Sequence, residues 1–191
     1  MKGYYKIRNE ILSILKAKLP PNLFYHGIHH TFNALKVSKY YIKHENIERE
    51  DAKLLRLALL LHDIGFIVSN KEHEKESIKI AAKMMMDYSF SKEHINIIIG
   101  MILSTKIPQE PKTKLERIIC DIDLDYLGSK EYYNISDLLF KEINAISHSI
   151  SNKEWNTMQI QFLRNHKYHT NYAKKFRKQN KENRLEELNS L

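Results

Sequence analysis

The stretch that decides the fold is Leu-Leu-Arg-Leu-Ala-Leu-Leu-Leu-His-Asp-Ile-Gly, residues 54–65. Arg56 is the only charged residue before its histidine, so the run is typical of a helix buried on nearly all sides. His62 and Asp63 follow this run directly. Burial of a carboxylate costs free energy unless something compensates its charge. A bound cation is one compensator, and this pair offers it two types of ligand. We therefore ask whether the rest of the chain completes a metal site.

Length and composition indicate one globular domain, residues 1–191. The chain is 42% hydrophobic and 28% charged, which excludes the disordered class and allows a full core. Only five glycines and four prolines interrupt it, which favours long helices. No apolar run approaches the ~18 residues of a membrane span, the start lacks a signal core, and a single cysteine excludes an internal disulfide framework. We expect a cytoplasmic protein without a membrane partner.

Helical spacing of apolar residues predicts an all-α fold of about nine helices. No alternating strand pattern persists; even Ile95–Ile99, which has the composition of a strand, lies between helical neighbours. Gly65 is predicted to end the central helix in a left-handed conformation. The predicted helices cover approximately residues 4–18, 30–44, 50–65, 78–86, 91–102, 113–127, 137–148, 153–165 and 171 onward.

The net charge of +8 leaves two interpretations open. Residues 164–184 hold eight Lys or Arg against one acid, Glu182. This excess is typical of a solvated helix face, and it would also suit a rim that attracts phosphate or nucleic acid.

Four residues stand out as candidate metal ligands. His30 begins a helix, His62 and Asp63 end the buried one, and Asp123 lies in Cys-Asp-Ile-Asp-Leu-Asp-Tyr, residues 120–126. The three acids of this segment lie among apolar residues, where carboxylates repel one another and resist ionisation unless a cation is present. Two imidazoles and two carboxylates suit Mn, Fe, Ni, Co or Zn. Spacing alone does not show that the four converge.

These residues resemble the motif of the HD superfamily of metal-dependent phosphohydrolases. The family pattern, His…His-Asp…Asp on a helical core, is matched by Tyr-His-Gly-Ile-His-His-Thr (25–31), Leu-Leu-Leu-His-Asp-Ile-Gly (59–65) and Asp-Ile-Asp-Leu-Asp (121–125). The resemblance covers about residues 22–130 and implies an HD core there, followed by a C-terminal helical extension over 131–191. It implies that His30, His62, Asp63 and Asp123 bind one divalent metal ion, and Mg is also a candidate for that ion.

The resemblance leaves several neighbouring residues with competing roles. Asp121 is the alternative to Asp123 as the fourth metal ligand. If it is not a ligand, we expect it to support the ligands from behind. His26 and His29 compete with His30, since His26 precedes His30 by four residues; we expect His26 to line or cap the site. His94 is a candidate for an extra ligand or a phosphate contact.

A further block, Glu-His-Glu-Lys-Glu-Ser at 72–77, resembles the His-Glu-x-x-Ser segment of many family members. The resemblance implies that His73 transfers protons and that Glu74 orients it; the alternative is a set of exposed polar residues that open a helix. Residues 161–170 either end an amphipathic helix or close over the substrate. Cations that would stabilise the transferring phosphoryl group are Lys71, Lys75, Lys106, Lys167, Lys174, Lys175 and Lys181.

The family implies hydrolysis of a phosphate ester or anhydride by a metal-activated water. We expect a nucleotide or another small phosphorylated metabolite as substrate, and no nucleic-acid partner. Two other interpretations stay open: a non-catalytic domain that binds metal and a regulatory nucleotide, and a basic helical domain that binds nucleic acid. The sequence identifies neither the substrate nor the oligomeric state.

Overall fold

The computed structural model describes residues 3–146 and 149–190. Within these ranges the chain forms ten α-helices and two 3₁₀ turns, with no strand, which confirms the all-α prediction. The helices are α1 (Tyr4–Lys18), α2 (Ile28–His44), α3 (Arg49–Leu61), α4 (His73–Asp87), α5 (Lys92–Thr105), α6 (Lys114–Asp123), α7 (Tyr132–Ile146), α8 (Asn152–Asn165), α9 (Asn171–Phe176) and α10 (Lys178–Asn189). The 3₁₀ turns are Ile64–Ile67 and Asp125–Gly128.

Helix α3 is the centre of the core, as its sequence predicts. Its leucines from Leu54 to Leu61 are at most 2% exposed. Helices α1, α2, α4, α5 and α6 all pack against it. Burial of this many leucines stabilises the fold strongly, at about 1.5–3 kcal/mol for each side chain, and it fixes the end of α3 in place.

The prediction that Gly65 ends the central helix is wrong. Helix α3 ends at Leu61, and Gly65 lies inside the 3₁₀ turn Ile64–Ile67. A Cβ atom on Gly65 would lie 2.0 Å from the carbonyl oxygen of His73. The Gly65 N–H donates to Ser77 Oγ at 2.8 Å. Glycine is therefore needed because α4 approaches the backbone closely at this point.

The predicted helix boundaries differ from the structure at α4, which begins at His73 and not near residue 78, and in the second half of the chain. The helix predicted over 113–127 ends at Asp123, and the chain continues as the turn Asp125–Gly128. The helix predicted over 137–148 begins at Tyr132, because Tyr132 is buried with Leu127 and Leu188; its end at 148 lies outside the described residues. The predicted final helix is divided into α9 and α10.

A smaller apolar cluster joins the C-terminal helices to the turn Asp125–Gly128. It contains Leu124, Leu127, Tyr132, Leu163 and Leu188. Helix α10 packs on α8 and on this turn, while α9 contacts α2. Across the described residues, no helix is both long and apolar enough to span a membrane.

Candidate metal centre

Four side chains predicted as ligands converge at the end of α3. His30 is in the first turn of α2, His62 and Asp63 follow α3, and Asp123 is the last residue of α6. The Nε2 atoms of His30 and His62 are 3.2 Å apart. His30 Nε2 lies 3.0 Å from Asp123 Oδ1, and His62 Nε2 lies 3.1 Å from Asp63 Oδ2. Among the described residues, His30, His62 and Asp123 form a group with the spacing of a metal site.

A hydrogen bond from His62 to the backbone leaves its second ring nitrogen directed into the cluster. The Nδ1 of His62 lies 2.9 Å from the carbonyl oxygen of Leu59, so its N–H donates there and Nε2 is left as the ligand atom of the neutral ring. Asp63 Oδ2 is buried and has no partner in hydrogen-bonding geometry, although His62 Nε2 lies 3.1 Å away. A buried carboxylate oxygen without a donor is costly. The residues present therefore fit a divalent cation.

The buried carboxylates of the cluster also favour a bound positive charge. Burial alone would lower the pKa of His62, but the carboxylates of Asp63 and Asp123 outweigh it and hold that pKa well above its usual value. Burial would raise the pKa of Asp63, whereas His62 and His73 lower it well below its usual range. The acids remain ionised, and a metal ion would satisfy them directly.

The comparisons with known proteins agree with this geometry. The family model described as HD domain matches residues 27–125, which is more than half of the chain. The chain belongs to the HD domain family. No curated protein and no solved structure matches it significantly. All four clustered residues of the HD domain lie inside the matched range, and the predicted relationship to the HD superfamily is confirmed.

His73 and Glu74 open helix α4 beside the cluster. His73 Nε2 lies 3.4 Å from Asp63 Oδ1, and its Nδ1 lies 3.7 Å from Glu74 Oε2. The ring of His73 stacks on Phe66, with centroids 4.0 Å apart. The contact between Gly65 and Ser77 holds the start of α4 at this distance. The structure thus brings both residues to the cluster; their catalytic roles stay a prediction.

His26 lies beside His73, with ring centroids 5.9 Å apart, and is held by a residue that the sequence reasoning missed. Its ring stacks on Phe66 at 4.5 Å, and its Nδ1 pairs with the carboxylate of Glu142. The backbone N–H groups of Tyr25 and His26 also donate to Glu142, at 2.7 and 2.9 Å. Burial would lower the pKa of His26, but the hydrogen bond to Glu142 and the nearby carboxylates raise it. His26 is therefore favoured as an imidazolium.

Of the three acids in residues 121–125, the structure directs Asp123 to the cluster. Asp121 accepts hydrogen bonds from the backbone of His169 and Thr170 and from the Thr170 hydroxyl, at the start of α9. Asp125 accepts from the Tyr41 hydroxyl at 2.7 Å and from Arg177 Nε at 2.8 Å. The two outer acids are thus compensated by the C-terminal helices and by α2, without a cation.

Several other predicted site residues do not belong to the group of four clustered side chains. His94 is half-buried on α5 beside Phe90. His29 and Lys36 line a second cavity, which His30 and Asp123 also border. Lys106 is exposed at the end of α5. Lys167 is exposed and lines a neighbouring cavity. Lys181 is buried and donates to the carbonyl oxygens of Leu163 and His166, which makes it structural.

A cavity of about 290 Å³ opens beside the cluster. Asp63, Asp123, His73, Glu74 and His26 form one side of it. Helices α7 and α8, which lie outside the matched range, form the opposite side. Phe162 and Leu163 belong to the segment 161–170 and line the cavity, so the part of that segment inside α8 reaches the site.

Proposed function

We propose that this HD domain is a metal-dependent phosphohydrolase that acts on a nucleotide or another small phosphorylated metabolite. The observation that carries the proposal is the buried group of His30, His62, Asp63 and Asp123, which includes a carboxylate oxygen without a hydrogen-bond partner and opens onto a cavity. Membership of the HD family supports it. These four residues would hold the cation.

A bound divalent cation would lower the pKa of water and polarise a phosphoryl oxygen. The side chains around it would position the reactants and move protons. His73 lies between Asp63 and Glu74 at the cavity wall, where it can accept a proton from the attacking water and is oriented by Glu74. The buried end of α3 would keep the ligands rigid.

His26 is suited to act as the proton donor. Its imidazolium, paired with Glu142, lines the same cavity and can donate a proton to the leaving oxygen. Phe66 stacks on both rings, whose centroids lie 5.9 Å apart. A base and an acid would then line the same end of the cavity.

Activity of the purified protein with added Mn²⁺, Co²⁺ or Mg²⁺ tests the proposal. We expect release of phosphate or of a nucleotide product from a panel of nucleotides, cyclic nucleotides and phosphate esters. Asp63→Asn should abolish turnover because it removes a ligand charge, whereas Asp137→Asn, on the exposed face of α7, should leave turnover unchanged. Metal binding without turnover of any substrate would instead favour a regulatory domain.

A further inference from the structure

The cavity beside the metal cluster is polar at one end only. The ionisable side chains that line it, apart from tyrosine hydroxyls, come from the loop before α2, from the end of α3, from the start of α4 and from the end of α6. They are His26, Asp63, His73, Glu74 and Asp123. A phosphoryl group at the metal would lie at this end.

The opposite wall is apolar and aromatic. It is built by α7, α8 and the turn Asp125–Gly128, and its side chains are Leu127, Leu139, Ile143, Trp155, Met158, Phe162 and Leu163, with Tyr126 and Tyr132 between the two ends. Trp155 and Leu163 are buried. An organic group that fills this end would therefore exchange water for apolar contact.

The polar side chains on this wall are already paired with one another. Tyr132 and Ser136 donate their hydroxyls to Gln159 Oε1, at 2.9 and 2.5 Å. The Gln159 amide donates to Asn156 Oδ1 at 3.3 Å. These bonds hold α7 against α8 and use polar capacity that a second phosphate would need.

The charge of the cavity suits one phosphate group. Asp63, Asp123 and Glu74 line its polar end, and neither lysine nor arginine is among the described residues that line it. A divalent cation held by these residues would neutralise the negative charge of one phosphoryl group. Inside this cavity, additional phosphates would compete with the first for His26 and would otherwise face carboxylates or apolar carbon, which is costly in a partly enclosed site.

The size of the cavity sets a further limit. Its volume of about 290 Å³ lies at the lower edge of the range of about 300–1,000 Å³ that is usual for ligand pockets. It has room for a phosphate and about one ring system.

We propose that the substrates are esters of a single phosphate group whose organic part is an aromatic ring or a similarly apolar group, bound against Trp155 and Phe162. The proposal rests on the proposed hydrolytic function. It narrows the substrate class and excludes nucleoside triphosphates and other polyphosphates.

The test is phosphate release by the full-length, metal-loaded protein from four substrates at equal metal concentration. They are 1-naphthyl phosphate, thymidine monophosphate, glycerol phosphate and ATP. We expect kcat/KM for the better aromatic ester to exceed that for glycerol phosphate and for ATP by about 10- to 100-fold, from the apolar area that a ring buries. The ranking of the two aromatic esters distinguishes a nucleoside from another aromatic group.

A matched pair of variants localises the effect. Phe162→Ala should lower kcat/KM for the aromatic ester about 10-fold and leave glycerol phosphate unchanged, because only the ring contacts Phe162. Phe176→Ala removes a half-exposed phenyl ring from α9, away from the cavity, and should change neither. Turnover in which ATP or glycerol phosphate equals the aromatic esters would overturn this inference alone. Failure to hydrolyse any ester would overturn the proposed function with it.

Discussion

At the scale of single residues, Gly65 and Ser77 fix the distance between the His-Asp pair and the start of α4. The Gly65 N–H needs the Ser77 hydroxyl, and the close approach of His73 leaves no room for a side chain at Gly65. The pair therefore determines where His73 stands relative to Asp63. This role differs from helix termination, which the sequence pattern alone favours for a glycine after an apolar run.

Ser77→Ala should lower the free energy of unfolding by about 1–2 kcal/mol, because a buried N–H loses its acceptor. Gly65→Ala should cost more, about 1–3 kcal/mol or beyond, because its Cβ meets backbone atoms. Urea unfolding measures both. Gly100→Ala is the control: the nearest atom there is a side-chain oxygen of Glu116 at 2.9 Å, which can move more easily than backbone, so the loss of stability should be smaller than at Gly65. Equal effects at Gly65 and Gly100 would contradict this account.

His166 gives a pH dependence of stability. Both of its ring nitrogens are buried without a hydrogen-bond partner, and burial together with Lys181 lowers its pKa to about 3. The unfolded chain binds a proton on this ring near pH 6.5, and the folded chain does so only near pH 3. The stabilisation is therefore complete above pH 6.5 and is lost as the pH falls toward 3, by up to about 1.4 kcal/mol per pH unit.

His166→Phe should remove this contribution while keeping the ring contacts with Phe162 and Tyr168. Relative to the wild type, the variant should gain stability progressively between pH 6.5 and pH 4 in urea titrations. His44→Phe, at an exposed position, should show no such gain. A constant difference between His166→Phe and wild type across this pH range would count against the account.

At the scale of elements, the sequence predicts the ligand-bearing part of the site well and its opposite wall poorly. His62 and Asp63 could be found because an apolar run makes their placement unusual, and His30 and Asp123 because the family motif carries them. Glu142 is one acid in an amphipathic helix, and its contacts with Tyr25 and His26 span more than 110 residues of chain. Local sequence patterns do not predict a contact between residues so far apart in the chain.

Helix α7 should therefore influence catalysis from outside the family match. Glu142→Gln keeps an acceptor for the backbone of Tyr25 and His26 but removes the charge that favours the His26 imidazolium. We expect kcat to fall about 10- to 100-fold, metal content to remain unchanged, and the alkaline limb of the pH–rate profile to move to lower pH. Glu131→Gln, exposed before α7, is the control. An unshifted profile would assign Glu142 a structural role only.

At the scale of the whole molecule, the C-terminal helices are part of the site. Asp121 and Asp125 bind the chain at Thr170 and Arg177, so the segment that supplies Asp123 also fastens α9 and α10 to the core. The alternation of Asp-Ile-Asp-Leu-Asp then has a physical reason: its first and last carboxylates face the C-terminal segment and the middle one faces the cluster. The sequence alone left Asp121 and Asp123 as rivals, because the partners of Asp121 lie 48 and 49 residues away.

Metal content tests the central claim most directly. Elemental analysis of protein purified without chelator and reloaded with Mn²⁺ should give about one tightly bound ion per chain. Asp123→Asn should lose that ion. Asp121→Asn should retain it while lowering the free energy of unfolding, because Asp121 acts on α9. A chain that binds no metal, or one whose metal is lost with Asp121→Asn and kept with Asp123→Asn, would contradict the account.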